Sequence, residues 1–300
     1  MFSVVIPVGN KAPHLDRSVN SVLNQSFSDF ELLLIDDATT DGSAQKLSEF
    51  NDLRIRILRR NVPGPGGYAA RNLGIKEANC KWIAFLDADD EWDSEYLSIM
   101  AKAIKENLDI KVFASAFYYT DGKSKKLNRY HSINHAQGNH QFDFSMFLLY
   151  KPMWTGTVII DRETLLKNGG FPEGRTSSGG DEFLWFNIMD SERKGFWVNF
   201  PGANYHRDSV NMVTRTNEKD LRTNILYPAI KELIRKETNS ATIQNLKKYW
   251  NFKAWYYFKN ISKRRVMNFS DLNYYYWKPG AMNPRIIIPV LYSFKNLFRK

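Results

Sequence analysis

The chain has 300 residues and one cysteine, and 43% of its residues are hydrophobic and 25% charged, which is typical of a soluble globular protein. A lone cysteine, Cys80, excludes an internal disulfide and predicts a reducing compartment such as the cytoplasm. We expect no secretory leader, because the N-terminus has neither a basic segment nor a cleavage site. We also expect no membrane-spanning helix, because no apolar run approaches the ~20 residues that such a helix requires.

The net charge of +10 is concentrated late in the chain. Residues 215–300 carry 18 Lys and Arg against 5 Asp and Glu, whereas residues 1–214 carry 24 against 27. This shift predicts a near-neutral domain at 1–214 and a basic, mainly helical region at 215–300. The length also favours one main domain with an appendage.

Hydrophobic patterning predicts alternating strands and helices along the first domain. Unbroken or alternating apolar runs predict strands, and apolar residues three or four positions apart predict helices. The expected strands are 1–8, 30–35, 54–58, 82–86, 110–119, 155–160 and 197–200, and the expected helices are 13–23, 68–78, 94–107, 162–167 and 183–193. Residues 122–141 are polar and predict a surface loop. The alternation favours an α/β fold with a mixed, mostly parallel sheet and helices on both faces.

Acidic residues follow two of the predicted strands. Asp36 and Asp37 end one strand, and Asp87, Asp89 and Asp90 follow another. The carboxyl ends of parallel strands share the edge at which α/β folds bind ligands. Clustered carboxylates repel one another unless a cation neutralises them, and Mg²⁺ or Mn²⁺ shared with a phosphate would do so. Alternatively, these acids stabilise the start of the next helix.

Six segments, taken in order, resemble the family 2 glycosyltransferases, over about residues 2–210. They are VVIPVGN at 4–10, SVLNQS at 21–26, LIDDATTDGS at 34–43, ARNLG at 70–74, FLDADD at 85–90 and GDE at 180–182. The resemblance implies a Rossmann-like GT-A fold, with a nucleotide-binding half at about 1–120 and an acceptor half at about 121–214. It also implies transfer with inversion from a nucleotide sugar, a UDP-sugar above all.

The resemblance implies a role for individual residues. Asp37 would hold the uracil, Asp87 the ribose, and Asp89 the metal on the donor diphosphate. The acid pair Asp181 and Glu182 would supply the general base, with Asp181 favoured. The remaining expected residues are Pro7, Val8, Arg71 and Ala88 around the nucleotide, His206 at the metal or phosphate, and Trp154 and Gly180 at the acceptor.

Three positions depart from the family pattern. Gly9 lies where the family often has a tyrosine that can stack on the base. Gly180 replaces a common glutamate before the catalytic aspartate. The family histidine near Tyr205 is displaced, so that His206 and Asp208 both lie close to its position.

Structural alternatives exist for several of these residues. Asp181 could be a helix N-cap, Asp36 and Asp37 could form a turn, and Arg71 could lie on a solvated helix face. Trp154 could be a sugar-stacking platform or a core residue. Gly66 and Gly67 could cradle phosphate at a helix start, although two glycines are a weak signal.

The basic C-terminal region interleaves aromatic and basic residues. Such a pattern can contact an anionic membrane or nucleic acid, or its aromatics can pack on the catalytic domain while its lysines face water. We expect packing, with membrane contact in addition, and no nucleic acid. The pattern comprises aromatics between 249 and 258 with nearby lysines, the basic cluster 263–265 and the aromatic run 274–278.

The leading hypothesis is therefore a glycosyltransferase on the cytoplasmic face of the membrane. It would use a UDP-sugar and Mn²⁺ or Mg²⁺ to extend a bacterial surface glycan or lipid-linked oligosaccharide. A sugar-phosphate nucleotidyltransferase is disfavoured, because residues 9–11 are too sparse in glycine for its phosphate loop. An inactive, binding-only relative is the non-enzyme alternative.

Overall fold

The computed structural model describes residues 1–134, 137–209 and 224–261. The chain divides into two compact units, Met1–Asn217 and Glu218–Lys300. The predicted cluster at 263–265 and the aromatic run at 274–278 lie outside the described residues.

The described part of the first unit contains one ten-stranded sheet. The strands are β1 (Phe2–Val8), β2 (Phe30–Asp37), β3 (Ile55–Arg60), β4 (Trp82–Phe85), β5 (Glu91–Trp92), β6 (Val112–Thr120), β7 (Lys125–Leu127), β8 (His140–Asp143), β9 (Val158–Asp161) and β10 (Lys194–His206). Eight of them follow the order β3-β2-β1-β4-β9-β6-β10-β5, while β7 pairs with β6 and β8 with β10.

The sheet is mixed, and its longest ladders are parallel. Strands β1 to β4 pair in parallel, as do β6 and β10. Strand β9 runs antiparallel to both β4 and β6 and joins these two parallel groups. The α/β prediction is confirmed, and β1, β2 and β4 end at the same edge.

Helices cover both faces of the sheet. Val4, Ile6 and Val8 of β1 pack in a core that includes side chains of α1 and α4. On the other face Val5 lies against Gly74 of α3, so closely that a Cβ at Gly74 would overlap Val5. The helices are α1 (Leu15–Leu23), α2 (Ser43–Glu49), α3 (Tyr68–Glu77), α4 (Tyr96–Glu106), α5 (Arg129–Asn134), α6 (Phe144–Tyr150), α7 (Arg162–Lys167), α8 (Gly180–Glu192), α9 (Leu226–Lys236) and α10 (Ser240–Ile261).

Three sequence predictions in the second half of this unit were wrong in part. The predicted loop at 122–141 contains β7, α5 and the start of β8, because Asp121 accepts backbone N–H bonds from Lys123 and Ser124 and turns the chain back onto β6. The predicted strand at 155–160 begins with a 3-10 turn, Thr155–Thr157. The strand predicted at 197–200 is much longer, since β10 continues past Pro201 through two register shifts.

In the second unit, α9 and α10 carry buried aromatic and aliphatic side chains. The ring centroids of Tyr227 and Trp250 are 4.5 Å apart, and Tyr249 and Trp250 are buried while Lys248 is exposed. These aromatics thus pack within the second unit, whereas Phe252 is exposed; their predicted packing on the catalytic domain stays a prediction. None of the helices within the described ranges combines the length and the hydropathy that a bilayer-crossing segment needs.

Candidate active site

The carboxylate of Asp37 is fixed at the end of β2. Its Oδ1 contacts the guanidinium of Arg60, and its Oδ2 accepts the backbone N–H of Gly64 at 3.1 Å. Asp37 and Arg60 are direct neighbours in the parallel β2–β3 ladder. Asp36, by contrast, accepts the backbone N–H and the hydroxyl of Thr39, so the turn-forming role falls to Asp36.

Arg71 is buried and holds the first acid after β4. Its Nη2 contacts Asp87 Oδ1, and its Nη1 donates to the carbonyl of Gly66 at 2.9 Å. The guanidinium also lies over the ring of Phe171, 5.4 Å from its centroid. Arg71 therefore does not lie on a solvated helix face. It links α3 to the turn at Gly66 and to the acidic segment, residues 87–90.

The carboxylate of Asp89 forms an ion pair with Lys11, which lies in the loop after β1. The ammonium of Lys11 lies 2.7 Å from Asp89 Oδ2, and the two side chains are only 12% and 13% exposed. Arg17 Nη2 donates to the backbone carbonyl of Asp89. Both the backbone and the carboxylate of this acid are thus held by basic side chains.

Asp90 anchors the acidic segment to the end of β10. It is fully buried, and its Oδ1 accepts the backbone N–H of His206 at 2.8 Å. Its Oδ2 has no hydrogen-bond partner among the described residues. Burial raises the pKa of Asp90 well above its ordinary value, and the nearby charges of Asp87 and Asp89 raise it further.

The imidazole of His206 lies between two carboxylates. Its Nε2 is 3.1 Å from Glu91 Oε1, and its Nδ1 is 3.7 Å from Asp208 Oδ1. The hydrogen bond with His206 is the main cause that lowers the pKa of Glu91, against the opposing effect of burial. The metal role predicted for His206 stays a prediction.

The carboxylate of Asp89 could supply one ligand to a cation that a phosphate also binds. In the described ranges, no group of three or more His, Cys, Asp or Glu side chains is arranged to hold a metal. The Asp89 carboxylate nevertheless accepts a positive charge, that of Lys11. Mg²⁺ commonly uses one or two carboxylates and takes further ligands from substrate phosphates, so Asp89 could serve such an ion only together with a diphosphate.

The predicted acid pair lies in the first turn of α8. The N-cap position belongs to Gly179, whose φ of 73° suits glycine, so Asp181 is not the N-cap. Asp181 Oδ2 lies 3.5 Å from the hydroxyl of Thr155, whereas Glu182 Oε1 lies 3.3 Å from the ammonium of Lys151. The two acids therefore have different surroundings.

Tyr68 connects the start of α8 to the start of α3. Its hydroxyl accepts the backbone N–H of Gly180 at 2.8 Å, and its ring stacks on Phe171 with 6.0 Å between centroids. Burial raises the pKa of Tyr68 to about 12, and the charges of Asp181 and Asp87 add to that rise. The charges of Asp181 and Asp87 thus both disfavour ionisation of the Tyr68 hydroxyl.

The other predicted site residues take varied positions. Val8 and Ala88 belong to the buried core, so their backbones alone could face a nucleotide. Pro7 is partly exposed at the end of β1, next to Gly67. Trp154 is partly buried, with its ring centroid 4.3 Å from that of Phe117 and 5.3 Å from that of Tyr205; the core packing is present and the acceptor role stays a prediction.

Sequence reasoning did not select Lys11, Arg60, Tyr68 or Thr155. Arg60 could have been found, because an arginine that ends β3 beside the acid that ends β2 is a charge pair on neighbouring strands. No local pattern marks Lys11 or Tyr68, whose partners lie 78 and 112 residues away.

Comparisons with known proteins agree with this architecture. WfgD of Escherichia coli, a UDP-Glc:alpha-D-GlcNAc-diphosphoundecaprenol beta-1,3-glucosyltransferase, is 30% identical over 190 residues, which cover 63% of this chain and 70% of WfgD. An uncharacterized glycosyltransferase of Rickettsia felis is 36% identical over 194 residues, 64% of this chain but only 31% of that protein. The chain thus corresponds to about a third of the length of that relative.

A solved structure and a family profile complete the comparison. The crystal structure of S. aureus TarS 1–349 in complex with UDP-GlcNAc matches 95% of this chain and 82% of its own with a TM-score of 0.73 and 17% identity; this likeness shows the GT-A fold. The profile described as Glycosyl transferase family 2 matches residues 3–165, more than half of the chain. The chain therefore belongs to glycosyl transferase family 2.

Proposed function

We propose that the protein transfers a sugar, with inversion, from a UDP-sugar to a lipid-linked saccharide. The observation that carries the proposal is the position of Asp181. Through Tyr68 and Gly180, the start of α8 is tied to the helix whose Arg71 holds Asp87. A candidate base and a candidate nucleotide-binding acid thus lie on the same side of the molecule.

In the proposed reaction, a hydroxyl oxygen of the acceptor attacks the anomeric carbon of the donor. The bond from that carbon to the diphosphate breaks, UDP leaves with the electron pair, and Asp181 accepts the proton of the hydroxyl. A positioned carboxylate typically contributes about 10²–10⁴-fold to such a step. Glu182 is the weaker candidate, because its carboxylate pairs with Lys151.

The donor is proposed to lie along the edge formed by β1, β2 and β4. Asp37 would accept from the uracil, and Asp87 from the ribose, while the backbones of Pro7, Val8 and Ala88 line the same edge. Asp89 would bind Mn²⁺ or Mg²⁺, which supplies Lewis-acid neutralisation of the leaving diphosphate.

The names of the relatives support the proposed acceptor class. WfgD is named for a diphosphoundecaprenol-linked GlcNAc acceptor, and the TarS structure contains UDP-GlcNAc. Carried over to this chain, these names support a UDP-sugar donor and a lipid-linked acceptor near Trp154 and Gly180. Such an acceptor would place the enzyme peripherally on the inner face of the membrane.

The test is a panel of UDP-, GDP- and dTDP-sugars with a GlcNAc-diphosphate-lipid acceptor, in Mn²⁺ and in chelator. We expect Mn²⁺-dependent transfer from one UDP-sugar. D181N should abolish transfer and leave the Kd of UDP within about twofold, whereas the matched variant E182Q should retain most of the activity. Loss of UDP binding in D181N would make Asp181 structural, and UDP binding without transfer to any acceptor would favour a binding-only protein.

Membrane contact is proposed for the basic region 215–300. Its aromatics Tyr249 and Trp250 are buried, while Lys248 is exposed, so the charge is available for anionic lipid at about 1 kcal/mol per residue. Replacing the exposed Lys231 and Lys248 with Gln in the full chain should weaken co-sedimentation with anionic vesicles. Unchanged sedimentation would contradict membrane contact through these lysines.

A further inference from the structure

The ion pair between Lys11 and Asp89 uses the carboxylate that the proposed metal ion needs. Lys11 Nζ lies 2.7 Å from Asp89 Oδ2, and both side chains are nearly seven-eighths buried. Salt screens a pair at this depth much less than a surface pair. A divalent ion and an ammonium on the same oxygen would repel each other strongly, so a divalent ion that takes this oxygen would displace the ammonium.

The backbone on both sides of this pair is fixed. The N–H of Lys11 donates to the hydroxyl of Ser43 at 3.0 Å, and the N–H of Ala12 donates to the carboxylate of Asp41 at 3.1 Å. On the acidic side, Arg17 donates to the carbonyl of Asp89. The loop after β1 and the acidic segment are therefore both anchored, and neither backbone needs to move for the pair to open.

The movable part is the lysine side chain. Lys11 has four flexible carbons that end in a compact charge with three rotatable donors, whereas Asp89 has a short stem. The loop of Lys11 directly follows β1, whose end lines the proposed donor site. A diphosphate bound at this edge would offer the ammonium several anionic oxygens.

We propose that Lys11 is a donor-diphosphate ligand that also controls access of the metal ion to Asp89. Without donor, Lys11 neutralises Asp89 and competes with the divalent cation. When UDP binds, the ammonium transfers to the diphosphate and the carboxylate becomes available. Metal and nucleotide then bind cooperatively, each raising the affinity of the other by the same factor. This inference rests on the proposed function, because it assumes a diphosphate and a cation at this edge.

The test measures Mn²⁺ binding by electron paramagnetic resonance, with and without UDP, on the full chain. Wild-type protein should bind Mn²⁺ weakly alone and at least ~10-fold more tightly with UDP. K11M should bind Mn²⁺ alone about 10-fold more tightly than wild type, since a charge-assisted hydrogen bond no longer competes. In K11M the enhancement by UDP should shrink, and the affinity for UDP in the presence of Mn²⁺ should fall.

Two control variants isolate the position and the charge. K11R keeps a cation opposite Asp89 and should bind Mn²⁺ alone no more tightly than wild type does. K102M removes an exposed lysine on α4, whose ammonium pairs with Glu106 at 4.0 Å, and should resemble wild type. Circular dichroism verifies folding, and K11Q replaces K11M if that variant does not fold.

The outcomes separate this inference from the proposed function. If Mn²⁺ binds the wild-type protein with UDP, but K11M gains no affinity for Mn²⁺ alone, the inference is overturned and the proposed function is not. If no variant binds Mn²⁺ even with UDP, the metal assignment of the proposed function fails, and the inference fails with it.

Discussion

The hydroxyl oxygen of Tyr68 accepts the backbone N–H of Gly180 at 2.8 Å and so joins the first residue of α3 to the first residue of α8. A Cβ at Gly180 would lie 2.7 Å from the tyrosine ring, so the ring fills the space of a side chain at that position. Helix α3 carries Arg71, and α8 carries Asp181. This contact therefore relates the proposed base to the proposed donor site.

Replacing Tyr68 with Phe should slow transfer more than it weakens binding. The buried N–H of Gly180 would lose its acceptor, which costs about 1–3 kcal/mol and releases the start of α8. We expect kcat to fall about 10-fold through misplacement of Asp181, while the KM of the donor changes less than about twofold. Steady-state kinetics and urea unfolding measure both effects.

The control for this variant is Tyr96, another buried tyrosine. Its hydroxyl makes no hydrogen bond within the described residues, and it lies on α4. Y96F should therefore leave kcat unchanged and the stability equal or higher. If Y68F also retains the wild-type kcat, Tyr68 does not position the base.

Tyr68 also predicts a pH dependence of stability. Its folded pKa is about 12 against an ordinary 10.0, mainly because of burial. The unfolded chain releases the hydroxyl proton above pH 10, whereas the folded chain keeps it to about pH 12. The contribution of Tyr68 to the free energy of unfolding is therefore fully present below pH 10 and is lost as the pH rises to 12. Relative to Y68F, wild type should lose about 1.4 kcal/mol in the free energy of unfolding between pH 9 and 11. A pH-independent difference between the two proteins in urea unfolding would contradict the assigned pKa.

Periodicity predicted the first half of the sheet well and the second half less well. Strands such as β1 and β4 are unbroken apolar runs, and burial on both faces produces that pattern. The predicted strand at 197–200 ends before Pro201, which cannot donate to a ladder. In the structure, register shifts around Pro201 let β10 continue. The hairpin of β7 depends on a turn made by Asp121, which hydropathy does not register.

Candidate site residues could be selected from the sequence where they lie in a local motif. Asp87, Asp89 and Asp181 were selected because they follow a strand or begin a helix within a recognisable segment. Lys11 and Tyr68 were missed because their roles arise from contacts with Asp89 and Gly180, far along the chain. Tertiary contacts of this kind leave no periodic signal.

Removing the guanidinium of Arg71 should weaken nucleotide binding. In R71M, Asp87 would lose its partner and the turn at Gly66 would lose a hydrogen bond. We expect the Kd of UDP to rise at least ~10-fold, since a hydrogen bond to a charged group contributes about 1.5–3 kcal/mol. Isothermal titration calorimetry measures this change.

Arg54 provides the matched control for this substitution. It pairs with Asp52 at 2.8 Å and lies over the ring of Phe30, just before β3. R54M should reduce stability but leave the Kd of UDP unchanged. Equal losses of UDP affinity in both variants would indicate a general effect on folding rather than a role for Arg71 at the nucleotide.

Substitution of Gly9 with tyrosine should strengthen nucleotide binding. Gly9 follows β1 and is exposed, and a Cβ placed on it would meet nothing within 4 Å. A ring at this position has room to stack on the uracil that Asp37 is proposed to hold, and stacking of a base on an aromatic ring contributes about 1–3 kcal/mol. We therefore expect G9Y to lower the Kd of UDP at least ~5-fold and to leave the Kd of pyrophosphate, which has no base, unchanged.

G9A, which adds the Cβ without the ring, should match wild type for both ligands. A tighter Kd for pyrophosphate as well would mean that the tyrosine acts on the loop, and an unchanged Kd for UDP would place the base away from the end of β1.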